Sequence, residues 1–126
     1  MAKNNFRRIV KSREIGADKY ITQFIDDTIE IDYSDGRKII FEISDLDYLK
    51  QKTVLKFGKI IKEIMLERGM NIYELSFYTG INERTLAMYF NNTRAPKAFD
   101  MLCMIYGLGY SLKEFEEEVD HILQVP

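Results

Sequence analysis

The sequence of 126 residues predicts an α+β fold, in which an N-terminal β-hairpin or three-stranded sheet is followed by five helices. Two patterns support this prediction. Between residues 20 and 43, hydrophobic and polar residues alternate, which is the period of a strand with one buried face. From residue 54 onwards, hydrophobic residues recur three and four positions apart, which is the period of a helix with one buried face. We therefore expect the sheet to precede the helices in the chain.

The clearest strand signal is a hairpin that turns at Ser34-Asp35-Gly36. An Asp-Gly pair supplies the left-handed backbone positions that a tight hairpin requires. Residues 20–25 alternate in the same way and predict a third strand, and a capping-box pattern at Ser44 predicts a short helix over 44–52. The apolar face of the sheet needs a cover, and that cover is the first long helix, a second copy of the sheet or the helix at 44–52. The residues expected to face inward are Ile29, Ile31, Tyr33, Ile39, Phe41 and Ile43.

Two short helices are predicted on either side of Gly80. Asn71 is the expected N-cap of the first helix and Asn82 of the second, because an asparagine side chain accepts a bond from a free backbone N–H. Gly80 stands where the first helix must end, since glycine adopts a positive φ without steric cost. Asn92 is expected to end the second helix in the left-handed conformation. The residues of the second helix that should face inward are Leu86, Tyr89 and Phe90.

Residues 69–96 resemble the helix-turn-helix of the Cro/CI-type, lambda repressor-like family of DNA-binding proteins. The similarity extends from about residue 57 to 115, and the family's five helices all have counterparts in it. The resemblance implies a five-helix domain that places the second helix of the pair in the major groove of DNA. The first and fourth helices are expected at 54–68 and 96–106, and the second helix of the pair at about 82–91. The fifth begins with a capping box between Ser111 and Glu114.

Four positions depart from the usual pattern of that family. Ile72 stands where the first helix of the pair commonly begins with a phosphate-binding glutamine. Phe90 and Met65 stand where a glutamate and an arginine commonly form an ion pair. Packed hydrophobic side chains can replace a buried ion pair with little loss of stability. Asn92 stands where a glycine commonly follows the second helix. The departures leave the expected fold intact, but they remove polar groups from the usual DNA-facing surface.

The resemblance makes the exposed side of the second helix the expected DNA-reading face. Arg84 is expected to read a guanine, because its fork of donors matches the O6 and N7 acceptors of that base. Glu83 is expected to accept a bond from a cytosine amine, and Thr85 or Met88 to contact a thymine methyl group. The residues expected to hold DNA phosphates are Asn82, Asn91, Thr93, Arg94 and Lys97.

Charge is unevenly distributed along a chain whose net charge is −2. Residues 1–13 carry five bases and no acid, whereas residues 113–120 carry five acids and one base. A chain with separated charges can turn a basic face towards phosphate. We interpret residues 1–19 as a basic N-terminal arm that either reaches a DNA groove or is a disordered tail. The other expected divisions are a β region at 20–50 and a helix-turn-helix DNA-binding domain at 54–123.

The sequence lacks the residue patterns of an enzyme or of a metal site. His121 is the single histidine and has no cysteine or histidine at ligand spacing, so no metal, cofactor or catalytic residue is expected. Asp26 and Asp27 are interpreted as turn residues. Cys103, the single cysteine, is interpreted as a small core residue of a protein in the reducing cytoplasm. No apolar run is long enough for a membrane span, and the N-terminus lacks the apolar segment of a signal peptide.

These observations predict a sequence-specific DNA-binding transcriptional regulator, in particular a repressor encoded by a bacterium or a phage. A homodimer is expected, because one bidentate contact discriminates between bases by about 1–3 kcal/mol. That is less than the specificity of about 4–10 kcal/mol that regulators show. The alternative is a protein-binding module with the same fold, such as an antitoxin-like protein or a phage inhibitor of a host protein.

Two surfaces are expected to bind a second copy of the chain or a protein partner. One is the β region, in which Thr28–Ile43 is loosely similar to a small β-rich domain of bacterial proteins of uncharacterised function. That similarity implies no chemistry. The other surface is the acidic last helix, whose apolar stripe either binds a partner or closes over the protein's own core. The stripe consists of Leu112, Phe115, Val119, Ile122 and Leu123.

Overall fold

The computed structural model describes residues 7–124, in which a four-stranded antiparallel sheet is followed by six α-helices. The strands are β1 (Ile9–Ile15), β2 (Lys19–Phe24), β3 (Thr28–Tyr33) and β4 (Lys38–Glu42), and they lie in this order in the sheet. A short 3-10 helix, Ile43–Leu46, leads into the helical part. The helices are α1 (Asp47–Lys52), α2 (Phe57–Glu67), α3 (Ile72–Thr79), α4 (Glu83–Phe90), α5 (Ala98–Gly107) and α6 (Leu112–Gln124).

The hairpin of β3 and β4 has the predicted inward face. Ile29 pairs with Phe41 and Ile31 with Ile39, so the apolar residues of both strands share one side of the sheet. The strand over residues 20–25, the short helix over 44–52 and the five helices that follow were also predicted, and the α+β fold class is confirmed. Because strand alternation and helical periodicity are local properties of the sequence, they identified these elements without knowledge of their partners.

The prediction of a basic arm over residues 1–19 is wrong for the part that the structure describes. Residues 9–15 form the edge strand β1, which gives the sheet a fourth strand beside β2. Lys11 and Arg13 share the inward side of β1 with Ile15, so charged residues interrupt the apolar alternation that would have revealed the strand. Arg13 donates a hydrogen bond to Asp100 of α5 at 2.7 Å, and this distant partner makes an inward-facing charge possible. Residues 1–6, with Lys3, lie outside the described residues.

One hydrophobic core is shared by the sheet and the helices. Helix α5 lies at its centre, with eight of its ten residues buried. The sheet reaches this helix through Phe41, whose ring lies 5.7 Å from the ring of Tyr106 in an edge-on arrangement. Helix α6 covers another part of the core with Phe115 and Val119, which are fully buried. The apolar stripe of α6 therefore closes mainly over the protein's own core, and Leu123 is the stripe residue that stays exposed.

Two glycines allow close contacts between elements. A Cβ atom at Gly58 of α2 would lie 1.8 Å from the carbonyl oxygen of Tyr89, so α2 packs directly on the backbone of α4. Gly80, which ends α3, has a φ of 70°. A Cβ atom there would lie 2.3 Å from the carbonyl oxygen of Glu14 in β1. The turn after α3 is therefore in direct contact with the edge strand of the sheet.

None of the helices within residues 7–124 has the length and hydrophobicity that crossing a membrane requires.

Substitution of Gly80 tests the contact between β1 and the turn, and Gly69 supplies a matched control. Gly69 follows α2 with a φ of 67°, almost the same as at Gly80, but a Cβ atom there would meet nothing within 4 Å. Gly69→Ala should lower the free energy of unfolding by about 1 kcal/mol, the cost of a left-handed alanine. Gly80→Ala should lower it by about 3 kcal/mol, because overpacking against β1 adds to that cost. Equal losses in urea unfolding experiments would contradict the contact.

Candidate nucleic-acid interface

Helices α3 and α4 each begin at a capping asparagine. The Asn71 side chain accepts a hydrogen bond from the Glu74 N–H, and the Glu74 carboxylate accepts one from the Asn71 N–H, both at 2.9 Å. The Asn82 side chain accepts a bond from the Thr85 N–H at 2.8 Å. The caps predicted at Asn71, Gly80 and Asn82 are therefore present. They satisfy backbone groups that a helix end leaves free, and so they define where α4 begins.

Helix α4 has one buried face and one face open to solvent. Leu86 and Tyr89 are buried and Phe90 is partly buried against the core, as the helical spacing predicted. Seven of the nine residues expected to contact DNA are exposed, and Thr85 and Met88 are half-buried. The exposed ones are Asn82, Glu83, Arg84, Asn91, Thr93, Arg94 and Lys97.

The loop after α4 folds back onto the end of the helix. The Met88 carbonyl accepts hydrogen bonds from the N–H groups of Thr93 at 2.9 Å and of Arg94 at 3.3 Å. Asn92 adopts the predicted left-handed conformation, with a φ of 58°, and its side-chain amide donates a bond to the Leu55 carbonyl at 2.8 Å. The loop that carries Arg94 is therefore held against both α4 and the segment before α2.

A comparison with known families decides what this pair of helices is. Residues 61–102, which run from within α2 to within α5, match the family model described as helix-turn-helix. This segment is a helix-turn-helix. Among curated proteins and among solved structures, nothing matches the chain. The family match supports a DNA-binding regulator, and the predicted resemblance is confirmed for these residues.

The exposed face of the helix-turn-helix carries cations that are free to bind an anion. Within residues 7–124, Arg84, Arg94 and Lys97 form no ion pair and donate no side-chain hydrogen bond. By contrast, Arg7 is paired with Glu30 at 2.6 Å and lies over the Phe24 ring. Arg13 is paired with Asp100 at 2.7 Å. Of the basic residues near the N-terminus, these two are therefore committed to contacts within the protein rather than to a DNA groove.

Three of the four positions that depart from the Cro/CI pattern lie in or beside the core of the helix-turn-helix, and the fourth, Asn92, is exposed in the loop after α4. Met65 is buried in α2, and Phe90 packs against the same core. Ile72, at the start of α3, is also partly buried there. Apolar packing thus occupies positions where the family commonly has an ion pair and a phosphate-binding glutamine. These three positions therefore lack the polar groups that the family commonly uses there, whereas the exposed polar residues of α4 and the loop that follows it are retained.

Asp100 connects α4 with the sheet, a contact that the sequence analysis missed. It accepts a hydrogen bond from the Tyr89 hydroxyl of α4, in addition to the bond from Arg13 of β1. Burial, with the bond to Asp100 adding to it, raises the pKa of the Tyr89 phenol far above its usual range. Asp100 is the single charged residue of α5, which is the one signal in the sequence that a partner was needed.

Variants of Arg13 and Tyr89 test this network. Arg13→Met and Tyr89→Phe should each lower the free energy of unfolding by about 1–2 kcal/mol, because each removes one hydrogen bond to a charged group. The double variant should lose more than the sum, because Asp100 is then a largely buried carboxylate without a donor. Lys11→Met on the same strand is the control, since Lys11 lies over the Phe99 ring without an ion pair within residues 7–124. Additive losses in urea unfolding would contradict the network.

Cys103 lies beside the same network and is fully buried, as predicted. Burial raises the pKa of its thiol to about 12, although the nearby Arg13 guanidinium acts in the opposite direction. The reactive thiolate is therefore scarce in the folded protein at neutral pH.

The thiol provides a pH-dependent measure of folding. Because the pKa is higher in the folded state than the usual 9.0, the thiol contributes no pH dependence below about pH 8. Stability should then fall as the pH rises from about 9 towards 12, since the unfolded chain alone releases the proton. We expect Cys103 to react with a thiol reagent only at the rate of unfolding. Cys103→Ala should remove its share of the alkaline loss, and rapid labelling of the native protein would contradict the assignment.

Proposed function

We propose that the protein is a sequence-specific DNA-binding transcriptional repressor of a bacterium or a phage that acts as a homodimer. The observation that carries the proposal is the exposed face of α4, where Arg84 has no partner within residues 7–124. The loop beyond α4 adds the exposed cations Arg94 and Lys97. We propose repression because a domain of this kind that occupies a promoter excludes the polymerase sterically. The described residues 7–124 contain no group of acids, histidines and cysteines able to hold a metal ion.

Base reading is assigned to the exposed part of α4. Arg84 donates two parallel bonds to the O6 and N7 atoms of a guanine, and Glu83 accepts a bond from the amino group of a cytosine. Both side chains lie in the first turn of α4, the part of a recognition helix that reaches base edges. Thr85 and Met88 are half-buried and therefore offer apolar contact with a thymine methyl group rather than long-range contacts.

Phosphate binding is assigned to both ends of α4 and to its loop. The Asn82 side-chain oxygen already caps α4, so its amide group is the part that donates to a phosphate. Asn91 and Thr93 offer further uncharged donors. Arg94 and Lys97 provide the positive charges, which release counterions on binding and make the affinity dependent on salt.

The dimer is proposed from the magnitude of the contacts. One strong reader per chain gives about 1–3 kcal/mol of discrimination, so two copies on an inverted repeat are required to approach about 4–10 kcal/mol. We assign DNA binding to residues 54–123 and dimerisation to the sheet. The sheet exposes more large apolar side chains than α6, where Leu123 alone of the stripe is exposed. The exposed sheet and sheet-end residues are Ile9, Val10, Tyr20, Ile25 and Ile40.

Selection of duplexes from a random DNA pool, followed by fluorescence anisotropy at several salt concentrations, tests the proposal. The selected site should be an inverted repeat and should bind about 1,000-fold or more tightly than scrambled DNA. Arg84→Ala should reduce that preference at least about tenfold, because it removes a bidentate base contact from each half-site. It should leave binding to scrambled DNA nearly unchanged.

Arg37→Ala is the matched control for Arg84→Ala. Its side chain is 68% exposed, and it lies in the β3–β4 turn, where it pairs with Asp35. This variant should keep the full preference for the selected site. Equal, weak and steeply salt-dependent binding of the wild-type protein to selected and scrambled DNA would overturn sequence-specific regulation.

A protein-binding module is the second candidate function, and two exposed aromatic residues of α3 favour it. Tyr73 and Phe77 are four positions apart, so they share one face of the helix, and they are 67% and 57% exposed. Paired aromatic side chains on a surface are typical of protein interfaces. If this function holds, Phe77→Ser should abolish the phenotype that expression of the protein causes in cells, and Arg84→Ala should leave that phenotype intact. The opposite result supports the DNA-binding repressor.

A further inference from the structure

A groove of about 430 Å³ lies beside the proposed DNA-binding face. The segment between α1 and α2 forms one wall, with Val54 and Leu55, and the loop between α4 and α5 forms the other, with Arg94 and Lys97. Its volume is within the range of sites that bind small molecules, about 300–1,000 Å³. The groove therefore has room for a ligand of substantial size.

The charged residues of the groove all have the same sign. Lys50, Arg94 and Lys97 line it, and no acidic residue does. Within residues 7–124 these three cations form no ion pair. Outside the groove, acidic residues form ion pairs with other cations of the described chain, among them Arg7, Arg13 and Lys52. The groove thus offers unneutralised positive charge to an anion.

The rest of the lining is largely apolar. Phe57 and Met101 are buried residues that contribute to it, whereas Val54 and Leu55 are 63% and 74% exposed. Covering exposed aliphatic side chains of this size with a ligand is favourable, because it removes apolar surface from water. A free phosphate ion would bind the cations but leave this apolar surface in water. A molecule with both an apolar body and a negative group satisfies both parts.

The backbone of the wall is held in a conformation that is unfavourable by itself. Leu55 has a φ of 60°, a left-handed conformation that is unfavourable for a residue with a Cβ atom. The Asn92 amide bond to the Leu55 carbonyl joins this strained residue to the loop that carries Arg94. Strain of this kind persists where the surrounding structure stabilises it, and it is concentrated at binding sites.

We propose that this groove binds a small carboxylic acid with an apolar body, and that the bound acid competes with DNA for Arg94 and Lys97. Arg94 matches a carboxylate through its fork of donors. The proposal rests on the proposed function for the competition with DNA, since both partners use the same two cations. Its consequence is that the acid releases the protein from its site and so acts as an inducer.

Chemical-shift changes in ¹⁵N NMR spectra test the binding of the acid without DNA. The probes are octanoate and 2-naphthoate, each compared with its own uncharged primary amide at matched ionic strength. At least one acid should shift the backbone amides of residues 53–58 and 92–101. It should bind at least about tenfold more tightly than its amide, because charge-assisted hydrogen bonds to the cations are stronger than bonds to an uncharged group.

Three variants locate the site. Lys50→Gln should weaken binding of the acid several-fold, and Ala95→Trp, which places an indole in the groove, should abolish it. Lys113→Gln removes an exposed lysine of α6 that does not line the groove, so it should leave the affinity unchanged. Circular dichroism and thermal unfolding check that each variant is folded. If both acids fail to shift the groove amides, if acid and amide bind equally, or if Lys113→Gln weakens binding as much as Lys50→Gln, the proposed site is wrong.

The competition is tested by anisotropy with the selected DNA. The acid that binds should raise the Kd for DNA in proportion to its concentration in the wild-type protein and in Lys113→Gln. It should have no effect in Ala95→Trp, and the amide should have none in any variant. An acid that binds the groove but leaves the Kd for DNA unchanged overturns the competition. If the acid binds and the protein has no affinity for DNA, the proposed function fails while the ligand site stands.

Discussion

The burial of α5 on nearly all sides is the constraint on which the rest of the structure depends. Eight of its ten residues are buried, and a helix that is apolar all round must be covered by other elements in every direction. The sheet, α3 and α6 supply that cover. The helix-turn-helix segment therefore shares one core with the sheet. The sheet contributes to the stability of the helix-turn-helix because removing it would expose α5.

Asp100 links the buried helix α5 to α4, which carries the proposed DNA-binding face. It is the one charged residue in α5, and its carboxylate accepts hydrogen bonds from Tyr89 in α4 and from Arg13 in the sheet. Gly58 and Gly80 bring α4 and the preceding turn into direct backbone contact with α2 and β1. The buried side of α4 is thus held by α2 and α5, and the turn before it is held by β1. On the other side of α4, Glu83 and Arg84 are exposed, and a helix fixed in this way suits the proposed reading of DNA.

The proposed ligand groove and the proposed DNA-binding face share the loop between α4 and α5. Arg94 and Lys97 belong to both. Such sharing gives a direct form of regulation, because two anions cannot occupy the same cations, and no change of fold is needed. A ligand that binds only the DNA-free protein lowers the fraction of protein bound to DNA, and the effect grows with the ratio of the ligand concentration to its Kd. The sheet would then serve stability and dimerisation rather than sensing.

The sequence by itself determined the local features of this protein. Helix ends at Asn71, Gly80, Asn82 and Asn92 were predicted correctly, because caps and left-handed positions depend on residues a few places apart. The hairpin around Asp35-Gly36 was predicted for the same reason. Helical periodicity also predicted which of the candidate DNA-contact residues on α4 are exposed. Their roles in DNA binding are proposals.

Only the tertiary structure decided which segments contact each other across the chain. Strand β1 was missed because Lys11 and Arg13 occupy its inward side, and Arg13 is acceptable there only with Asp100 beside it. The groove was missed because its walls, at 53–58 and 92–101, are about 40 residues apart in the sequence. The apolar stripe of α6 was compatible with a partner or with the protein's own core, and packing against Phe57 resolved it for Phe115. Local patterns report backbone preference and amphipathicity, whereas the partner of a charge or of an apolar face is set by the packing of distant elements.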